Sequence, residues 1–343
     1  MLLDLTREEL TEYVVSLGHK KFRGDQLYDA MLQGKKLDEI TTLPKELLET
    51  INGEYPNFEI ERCLESKDGT KKYIYRLNDG QIIEGVFMKY KYGNTLCVST
   101  QVGCRMGCKF CASTLHGLIR NLSAGEILQQ VIIANRDNGG DLKNRAVTNV
   151  VLMGSGEPFD NYDNVAKFFK LLEDERGINI SQRNISLSTC GIVPGIYKLA
   201  DDGFNVTLTI SLHASNDEIR KKTMPIANKY SIEEILQACK YYFKKTGRRI
   251  IFEYTLVKGV NDFDRHATEL SKILKGFACH VNVIPLNYVK ERNLVGSNIR
   301  RAHEFCKQLE ELGLSATVRR TLGSDIGGAC GQLRNSVINE TKN

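Results

Sequence analysis

The chain has 343 residues, of which 41% are hydrophobic and 26% are charged, and its mean hydropathy is −0.30. This composition is typical of a folded protein of two or three domains and excludes an intrinsically disordered chain. No apolar run approaches the ~20 residues that span a membrane. The start already carries Asp4, Arg7 and Glu8, unlike a signal peptide, so we expect a cytoplasmic protein with no membrane partner.

The net charge of +5 is unevenly distributed along the chain. Residues 1–70 contain 9 Lys and Arg against 15 Asp and Glu, a balance of −6, whereas the remaining residues contain 38 and 27, a balance of +11. A basic body with an acidic head allows a polyanionic partner. Ordinary solvated surfaces account for the same charge difference equally well.

Helical patterns dominate the first segment. Thr6 and Glu9 form a capping-box pattern before an apolar run that ends at Gly18, and further helices are predicted at 23–33 and 44–52. We therefore expect residues 1–70 to form a small helical accessory domain at the N-terminus of the chain.

Two β-rich runs follow the helical segment. Lys72–Leu77 and Gln81–Met88 flank Asn78-Asp79-Gly80, and an Asp-Gly pair between such runs is a strong signal for a tight β-turn. We expect residues 71–94 to form a β-hairpin that links the head to the body.

Strand and helix patterns alternate through the rest of the chain. The predicted strands are Thr95–Thr100, Asn149–Met153, Asn184–Thr189, Asn205–Leu212, Arg249–Val257 and His280–Leu286. The predicted helices lie at 123–137, 161–175, 194–202, 231–245, 262–274 and 297–312. This alternation predicts an α/β body over residues 95–321, with a parallel sheet that is open or forms an incomplete barrel and binds ligands at the carboxyl ends of its strands. We expect residues 322–343 to form a separate C-terminal tail.

Ten cysteines in a predicted cytoplasmic protein indicate core thiols, metal ligands or redox groups rather than a disulfide framework. Cys104, Cys108 and Cys111 share one short loop with the spacing CxxxCxxC. Ordinary iron–sulfur clusters take four thiolates, so three can hold a cubane and leave one iron open. A zinc site completed by His116 is the alternative.

The cysteine loop, with Phe110 before the third cysteine, resembles the signature of the radical S-adenosylmethionine (radical SAM) superfamily. Further motifs in the same order resemble those of the RNA adenine-C2 methyltransferases, which act on 23S rRNA and tRNA. They are Leu96–Cys104, Met153–Pro158, Leu187–Thr189, Ser211–His213, Asn282–Asn287 and Ala329–Leu333. The resemblance covers roughly residues 80–335 and implies an incomplete (β/α)6 radical SAM barrel.

The resemblance also implies the cofactor sites: Cys104, Cys108 and Cys111 hold a 4Fe–4S cluster, and a second group of residues surrounds SAM. That group is Gly156, Glu157, Ser188, Ser211, Leu212, His213 and Asn287. Most of them fall at predicted strand ends, where ligands bind in α/β folds. Considered alone, Glu157 also fits a tight turn with a solvated side chain, and His213 or Asn287 fits a satisfied polar residue of the core.

Three more residues take their roles from the resemblance. Cys330 lies in a glycine-rich segment suited to movement, and it matches the cysteine that carries the methyl group as S-methylcysteine. Cys97 matches the resolving cysteine, which forms a transient disulfide with Cys330, and Glu84 matches the proton acceptor. From local pattern alone, Cys97 also fits a buried strand thiol and Glu84 a solvated hairpin residue.

The implied reaction methylates carbon 2 of adenine in the peptidyl transferase centre of 23S rRNA and in tRNA, at the adenosine next to the anticodon. One SAM methylates Cys330, and a second is cleaved to a radical that activates the S-methyl group. We expect rRNA and tRNA as partners, flavodoxin or ferredoxin as electron donor, and a monomer. The alternatives are a carbon-8 methyltransferase that confers antibiotic resistance, a radical SAM enzyme for a small molecule, and a zinc-binding RNA adaptor without catalysis.

Three places depart from the family pattern: Ser155 stands for Met, Cys190 for Ser, and Gly327-Gly328 for Asp-Ala. The glycine pair is expected to loosen the tail. Basic and aromatic residues, which can pair with phosphates and stack on bases, alternate in the segments 89–92, 240–249, 288–292 and 318–320. A helix with a solvated face explains the 240–249 segment as well.

Overall fold

The computed structural model describes residues 1–333. Its head contains the helices α1 (Arg7–Ser16), α2 (Phe22–Leu32) and α3 (Lys45–Ile51), close to the predicted bounds. Thr6 caps α1 as its pattern predicts, because Thr6 Oγ1 accepts a hydrogen bond from the Glu9 amide (3.2 Å) and the Glu9 carboxylate accepts one from the Thr6 amide (2.8 Å). In the described part of the chain, no helix has the length and apolar character of a membrane span.

The predicted hairpin is present and forms one edge of the main sheet. Strands β2 (Lys71–Arg76) and β3 (Ile82–Tyr90) pair antiparallel, and β3 also pairs antiparallel with β4 (Gly93–Cys97). An additional strand, β1 (Ile60–Glu65), lies beyond β2. The expected helical head of residues 1–70 contained no strand; β1 escapes prediction because it is largely exposed and lacks the alternation of a half-buried strand.

A small second sheet frames the loop of the cysteine triplet. Strand β5 (Gln101–Gly103) precedes the loop, strand β6 (Leu118–Asn121) follows it, and the two pair antiparallel. Neither strand was predicted, because segments of three and four residues are too short to show a period. Their pairing closes the loop at its base and so fixes where its thiols lie.

The body is a parallel sheet that forms an incomplete barrel. From β4 onward, neighbouring strands of the main sheet pair in parallel. These strands are β7 (Asn149–Leu152), β8 (Ile185–Thr189), β9 (Thr207–Ser211), β10 (Ile250–Leu256), β11 (Cys279–Pro285) and β12 (Ala316–Val318). The strand order is β1-β2-β3-β4-β7-β8-β9-β10-β11-β12, and within residues 1–333 its two ends do not pair with each other.

Helices connect the parallel strands. They are α4 (Ala124–Asp137), α5 (Tyr162–Glu173), α6 (Val193–Asp201), α7 (Asp217–Thr223), α8 (Ile232–Thr246), α9 (Asp264–Leu274) and α10 (Ile299–Glu311). The predicted α/β class with an incomplete (β/α)6 barrel is confirmed. The short elements α7 and β12 were not predicted, since neither is long enough to show a clear hydrophobic period.

The carboxyl ends of the strands β7 to β11 face the cavity that the cysteine loop lines. Strands such as β10 are buried along nearly their whole length, as expected for a parallel sheet covered by helices. Packing in the apolar core therefore does not account for the charged and polar side chains at the carboxyl ends of these strands. This edge of the sheet is where the site residues collect.

After β12, the chain turns back toward the hairpin edge. The Gly323 amide donates a hydrogen bond to Asp68 (2.9 Å), and Ser66 Oγ donates one to Asp325 (2.6 Å). These bonds fasten the tail to the turn between β1 and β2, and Leu333 then packs beside β3 and β4. Residues 334–343 of the predicted tail lie outside the described residues.

Candidate active site

The loop that carries the cysteine triplet is held by its own backbone. Gly103 has φ of +76°, and a Cβ there would lie 2.0 Å from the Gly117 carbonyl oxygen, so only glycine fits where β5 enters the loop. Thr114 Oγ1 donates to the carbonyls of Cys108 (3.1 Å) and Cys111 (3.0 Å). The Arg292 guanidinium also donates to the Cys111 carbonyl (3.2 Å). These bonds engage the carbonyls of Cys108 and Cys111 and do not use the thiols, which can therefore act as ligands.

The three thiols line one cavity of about 140 Å³ at the carboxyl ends of the barrel strands. No three His, Cys, Asp or Glu side chains within residues 1–333 converge closely enough to hold a single metal ion. A cubane cluster binds each thiolate through a different iron, so its ligands surround a group rather than a point. The donor set of three thiols therefore fits an iron–sulfur cluster, for which soft thiolates are the preferred ligands.

Glu157 is buried and fixed by backbone donors. Its carboxylate accepts hydrogen bonds from the amides of Cys190 (2.7 Å) and Phe159 (3.1 Å). Burial raises the pKa of this carboxyl, and the two amide donors act in the opposite direction. Gly156, with φ of +113°, has no room for a Cβ, which would lie 2.7 Å from Thr100 Oγ1. The backbone at Gly156 and the carboxylate of Glu157 therefore both line the cavity.

His213 lies on the same cavity and is neutral. Its Nδ1 accepts a hydrogen bond from the Thr255 amide (3.0 Å), so the ring hydrogen belongs to Nε2. Burial lowers the pKa of His213 to about 3. Phe110 contacts the ring edge-on, with 4.8 Å between the ring centroids. A neutral imidazole that can donate from Nε2, next to the ring of Phe110, suits a ligand with both polar and aromatic parts.

The other predicted SAM residues divide into two groups. Ser188 and Ser211 line the cavity, with their hydroxyl oxygens 3.4 Å apart, and Asn287 lines it too. Leu212 is fully buried in the apolar core and does not line the cavity. Its amide donates to the Glu253 carbonyl (3.1 Å), so any contact of this residue with a ligand would have to be indirect.

Glu253 and Arg319 are site residues that were not predicted from the sequence. Glu253, buried on β10, lines the cavity and forms an ion pair with Arg319, whose guanidinium also contacts Met153 Sδ (3.5 Å). Among the groups around Arg319, the negative charge of the Cys330 thiolate is the one that raises the pKa of the guanidinium most. An acidic residue in the centre of the apolar run 250–256 was the available sequence signal.

Cys330 lies between two crevices. It lines the cavity of the triplet, and it also lines a second crevice of about 30 Å³ together with Cys97, Met153 and Arg319. Residue 330 is exposed, but its thiol faces these crevices. Burial by the surrounding protein raises the pKa of that thiol above its ordinary value, and the Arg319 guanidinium offsets part of the rise. The two predicted redox thiols therefore share one crevice beside a fixed cation.

Cys97 is a buried strand thiol, as its alternative interpretation held, and it also faces the tail. It packs with Val86 of β3 and Leu333 of the tail. Burial raises the pKa of Cys97 to about 12. The thiol is therefore protonated at neutral pH, and it needs a base or a change of environment before it can act as a nucleophile.

Glu84 lies under the tail, outside both crevices. Its carboxylate forms a buried ion pair with Lys72 (2.8 Å), and Lys72 Nζ also donates to the Gly327 carbonyl (3.2 Å). Gly327 has φ of +62°, and the Gly328 amide donates to the Gly323 carbonyl (2.8 Å). The glycine pair is thus part of a hydrogen-bonded turn that covers Glu84.

Comparisons with known proteins agree with this geometry. Residues 98–270 match the Radical SAM superfamily, whose members use a 4Fe–4S cluster and SAM, and residues 1–52 match the ribosomal RNA large subunit methyltransferase N-terminal domain. A probable dual-specificity RNA methyltransferase RlmN of Lachnospira eligens is 52% identical over 341 residues, which are 98% of this chain and 96% of that protein. The protein of the same name from Clostridium perfringens strain SM101 is also 52% identical, over 98% of this chain and 97% of its own length.

The crystal structure of a radical SAM methyltransferase from Sphaerobacter thermophilus superposes with a TM-score of 0.92. It is 41% identical in sequence and covers 98% of this chain and 99% of its own. The similarity therefore includes the head, the barrel and the described part of the tail. These findings confirm the family predicted from the motifs: the chain belongs to the RlmN family of radical SAM RNA methyltransferases.

Proposed function

We propose that this protein methylates carbon 2 of adenine in the peptidyl transferase centre of 23S rRNA and in tRNA, at the adenosine next to the anticodon, through an S-methylcysteine at Cys330. The observation that supports this most directly is that Cys330 lines both the cavity of the cysteine triplet and the crevice of Cys97. One thiol can therefore face a methyl donor on one side and a second thiol on the other. The names of the curated relatives support RNA as the substrate.

The residues that would hold the cofactors are the triplet for a 4Fe–4S cluster and the predicted cavity residues for SAM. When bound, the cluster supplies the electron that begins the radical chemistry. Glu157 is positioned to accept the ammonium group of SAM, and Ser188, Ser211, His213 and Asn287 offer neutral polar contacts. Leu212 would act on SAM only indirectly, by holding its neighbours Ser211 and His213 at the cavity. Each turnover uses two SAM molecules, one to methylate Cys330 and one for the radical step.

The chain's own residues then move the methyl group. Cys330 Sγ, as a thiolate beside Arg319, accepts a methyl group; once a hydrogen atom has been removed from that group, its carbon bonds to carbon 2 of adenine. The radical adduct would return one electron to the bound cluster and lose the carbon-2 proton. Cys97 then attacks Cys330 Sγ, the bond from this sulfur to the transferred carbon breaks, that carbon takes up a proton to become the methyl group, and a disulfide remains for later reduction. Glu84 accepts the proton that leaves carbon 2. Because the tail covers Glu84, and Lys72 pairs with it, the tail has to shift for this last step.

Anaerobic reconstitution with SAM, a reductant and either 23S rRNA or tRNA tests this function. Mass spectrometry of the digested RNA should find 2-methyladenosine in both RNAs. Only 8-methyladenosine would favour the carbon-8 alternative, and no RNA product with turnover of a small molecule would favour the second alternative. A flavodoxin or ferredoxin should be able to replace the chemical reductant as the electron donor. We expect the enzyme to act in the cytoplasm.

We predict that alanine at Cys104, Cys108 or Cys111 removes the visible absorption of the anaerobically reconstituted protein, because two thiolates do not retain a cubane. Iron and sulfide should fall with the colour. Cys239→Ala is the matched control, since this thiol is fully buried on α8 away from the loop. A stable cluster in Cys108→Ala, or bound zinc in the wild type, would contradict the assignment.

We predict that methylation of Cys330 becomes faster as the pH rises. The pKa of this thiol is raised, so near neutral pH the thiolate is a minor species that grows about tenfold per pH unit. Arg319→Met should slow the reaction about tenfold at pH 7, because it removes the cation that favours the thiolate. Intact-protein mass spectrometry measures the added methyl group. A rate independent of pH between 6 and 9 would contradict this prediction.

A further inference from the structure

The barrel has a second opening at the end opposite the cysteine triplet. A cavity of about 490 Å³ lies there, larger than the cavity of the triplet. We call it the N-terminal mouth, since its lining includes residues at the beginnings of β7, β8 and β10; the carboxyl end of β12, with Val318, Arg319 and Arg320, completes it. The polar strand residues that line it are Thr95, Asn149, Ser186, Thr209, Asn282 and Thr317.

The floor of the N-terminal mouth contains an unpaired polar atom. Thr209 is fully buried, and its Oγ1 has no hydrogen-bond partner within residues 1–333. Buried hydroxyl groups are normally satisfied, so this one is open to a partner beyond the described residues, such as a ligand or a water molecule. The hydroxyl and amide groups around it suit a polar ligand rather than an apolar one.

The charged side chains that line the N-terminal mouth are all positive. Lys91, Arg183, Arg319 and Arg320 line it, and among its described lining residues there is no Asp or Glu. Arg319 is paired with Glu253 inside the barrel. Within residues 1–333, the other three cations form no ion pair, and all three side chains are exposed. A cluster of unpaired cations on a concave surface attracts a polyanion.

A stacked aromatic pair with one exposed ring stands at the rim of the N-terminal mouth. The rings of Tyr90 and Tyr92 stack with 5.0 Å between centroids and 12° between planes, and Tyr92 is 76% exposed. An open aromatic face next to cations is the arrangement that binds unpaired nucleotides, since a base stacks while the cations meet phosphates. Two of the basic and aromatic segments, 89–92 and 318–320, thus meet at one place.

The N-terminal mouth leads to the thiol pair. Met88, Tyr90, Met153 and Arg319 line both this cavity and the crevice of Cys97 and Cys330. The two spaces therefore share walls inside the barrel. A base that enters from the mouth approaches Cys330 from the side opposite the cysteine triplet.

We propose that the N-terminal mouth binds the unpaired nucleotides around the target adenine. Lys91, Arg183 and Arg320 contact phosphates, and one base stacks on Tyr92. The adenine then enters the barrel from the end opposite SAM, which keeps the methyl donor and the RNA on separate sides of Cys330. This inference rests on the proposed function for the identity of the ligand, and on the described residues for the location.

The test compares two triple variants with equal loss of charge. Lys91→Ala/Arg183→Ala/Arg320→Ala alters the N-terminal mouth, whereas Lys240→Ala/Lys244→Ala/Lys272→Ala alters exposed positions of α8 and α9. Fluorescence anisotropy with a labelled tRNA anticodon stem-loop gives the Kd at several salt concentrations. The mouth variant should raise the Kd about tenfold or more and reduce the slope of log Kd against log salt by about 2. The control should change neither quantity.

Tyr92→Leu separates stacking from charge. Loss of one stacked base should raise the Kd about fivefold or more and leave the salt slope unchanged. This single exposed substitution also remains informative if the triple variant folds poorly. A wild-type Kd and salt slope in the mouth variant, or an equal loss in the control variant, would overturn the proposal.

Failure of this inference is distinguishable from failure of the proposed function. If the wild type makes 2-methyladenosine while the mouth variant binds RNA normally, the function stands and the location is wrong. If the mouth variant loses RNA binding while the wild type makes no methylated nucleoside, the RNA site stands and the reaction is wrong. Cys330 methylation without RNA should be equal in the wild type and in Lys91→Ala/Arg183→Ala, because neither of these two cations lines the cavity of the triplet or the crevice of Cys97 and Cys330.

Discussion

Replacing Cys330 with alanine is expected to abolish RNA methylation without undocking the tail. Main-chain atoms hold this segment: Asn287 Nδ2 donates to the Cys330 carbonyl (2.9 Å), and the Ala112 amide donates to the Gly331 carbonyl (2.8 Å). The substitution removes neither bond. The reaction loses its methyl-carrying nucleophile, so we expect the yield of methylated nucleoside to fall by about 10³-fold or more.

The control for Cys330→Ala is Cys63→Ala. Both residues are exposed, but Cys63 lies on β1 and lines neither crevice, so its loss should leave methylation unchanged. Mass spectrometry of digested RNA measures the product, and chromatography of the small molecules should still detect slow SAM cleavage by Cys330→Ala. Full RNA methylation by Cys330→Ala would remove this thiol from the mechanism.

Replacing Cys97 with alanine is expected to trap a covalent complex between protein and RNA. The early steps use Cys330 and do not need a second thiol. Release requires attack on Cys330 Sγ, and Cys97 lines the same crevice as that sulfur. Without this attack, the bond between Cys330 and the base persists. A denaturing gel should show a band of lower mobility that nuclease treatment removes.

Two further variants make the Cys97 result specific. The double variant Cys97→Ala/Cys330→Ala should give no shifted band, because no bond to RNA forms. Cys239→Ala, which removes another buried thiol, should turn over normally. Both buried substitutions should lower the free energy of unfolding by about 1–2 kcal/mol in urea. Adduct-free turnover by Cys97→Ala at the wild-type rate would leave Cys97 as a structural thiol only.

Local sequence signals determined most of the elements and their bounds. The capping boxes at Thr6 and Ser231 start α1 and α8 at the expected residues, because a side chain that pairs with the third amide of a helix acts over a single turn. Alternation of strand and helix patterns was sufficient for the barrel class. The elements that escaped prediction were short or exposed, as β12 and β1 are, and such segments carry little periodic signal.

The sequence also determined which residues could serve the chemistry. The cysteine triplet occupies one short loop, so its thiols were certain to lie close together in any fold. The strand-end motifs placed Glu157, Ser188 and His213 at one edge of the sheet, where the structure has them. The same motifs predicted Leu212 at the SAM site, but its side chain lies in the core while its neighbours Ser211 and His213 face the cavity.

Only the tertiary structure decided which distant segments meet. Glu253 and Arg319 pair because β10, β11 and β12 are neighbours in the sheet. Cys330 reaches two crevices because the tail is fastened to the β1–β2 turn. The N-terminal mouth combines residues from separate strands and loops. Local propensity acts over a few residues, whereas these contacts depend on strand order and on long connections that return to one place, so no single stretch of sequence encodes them.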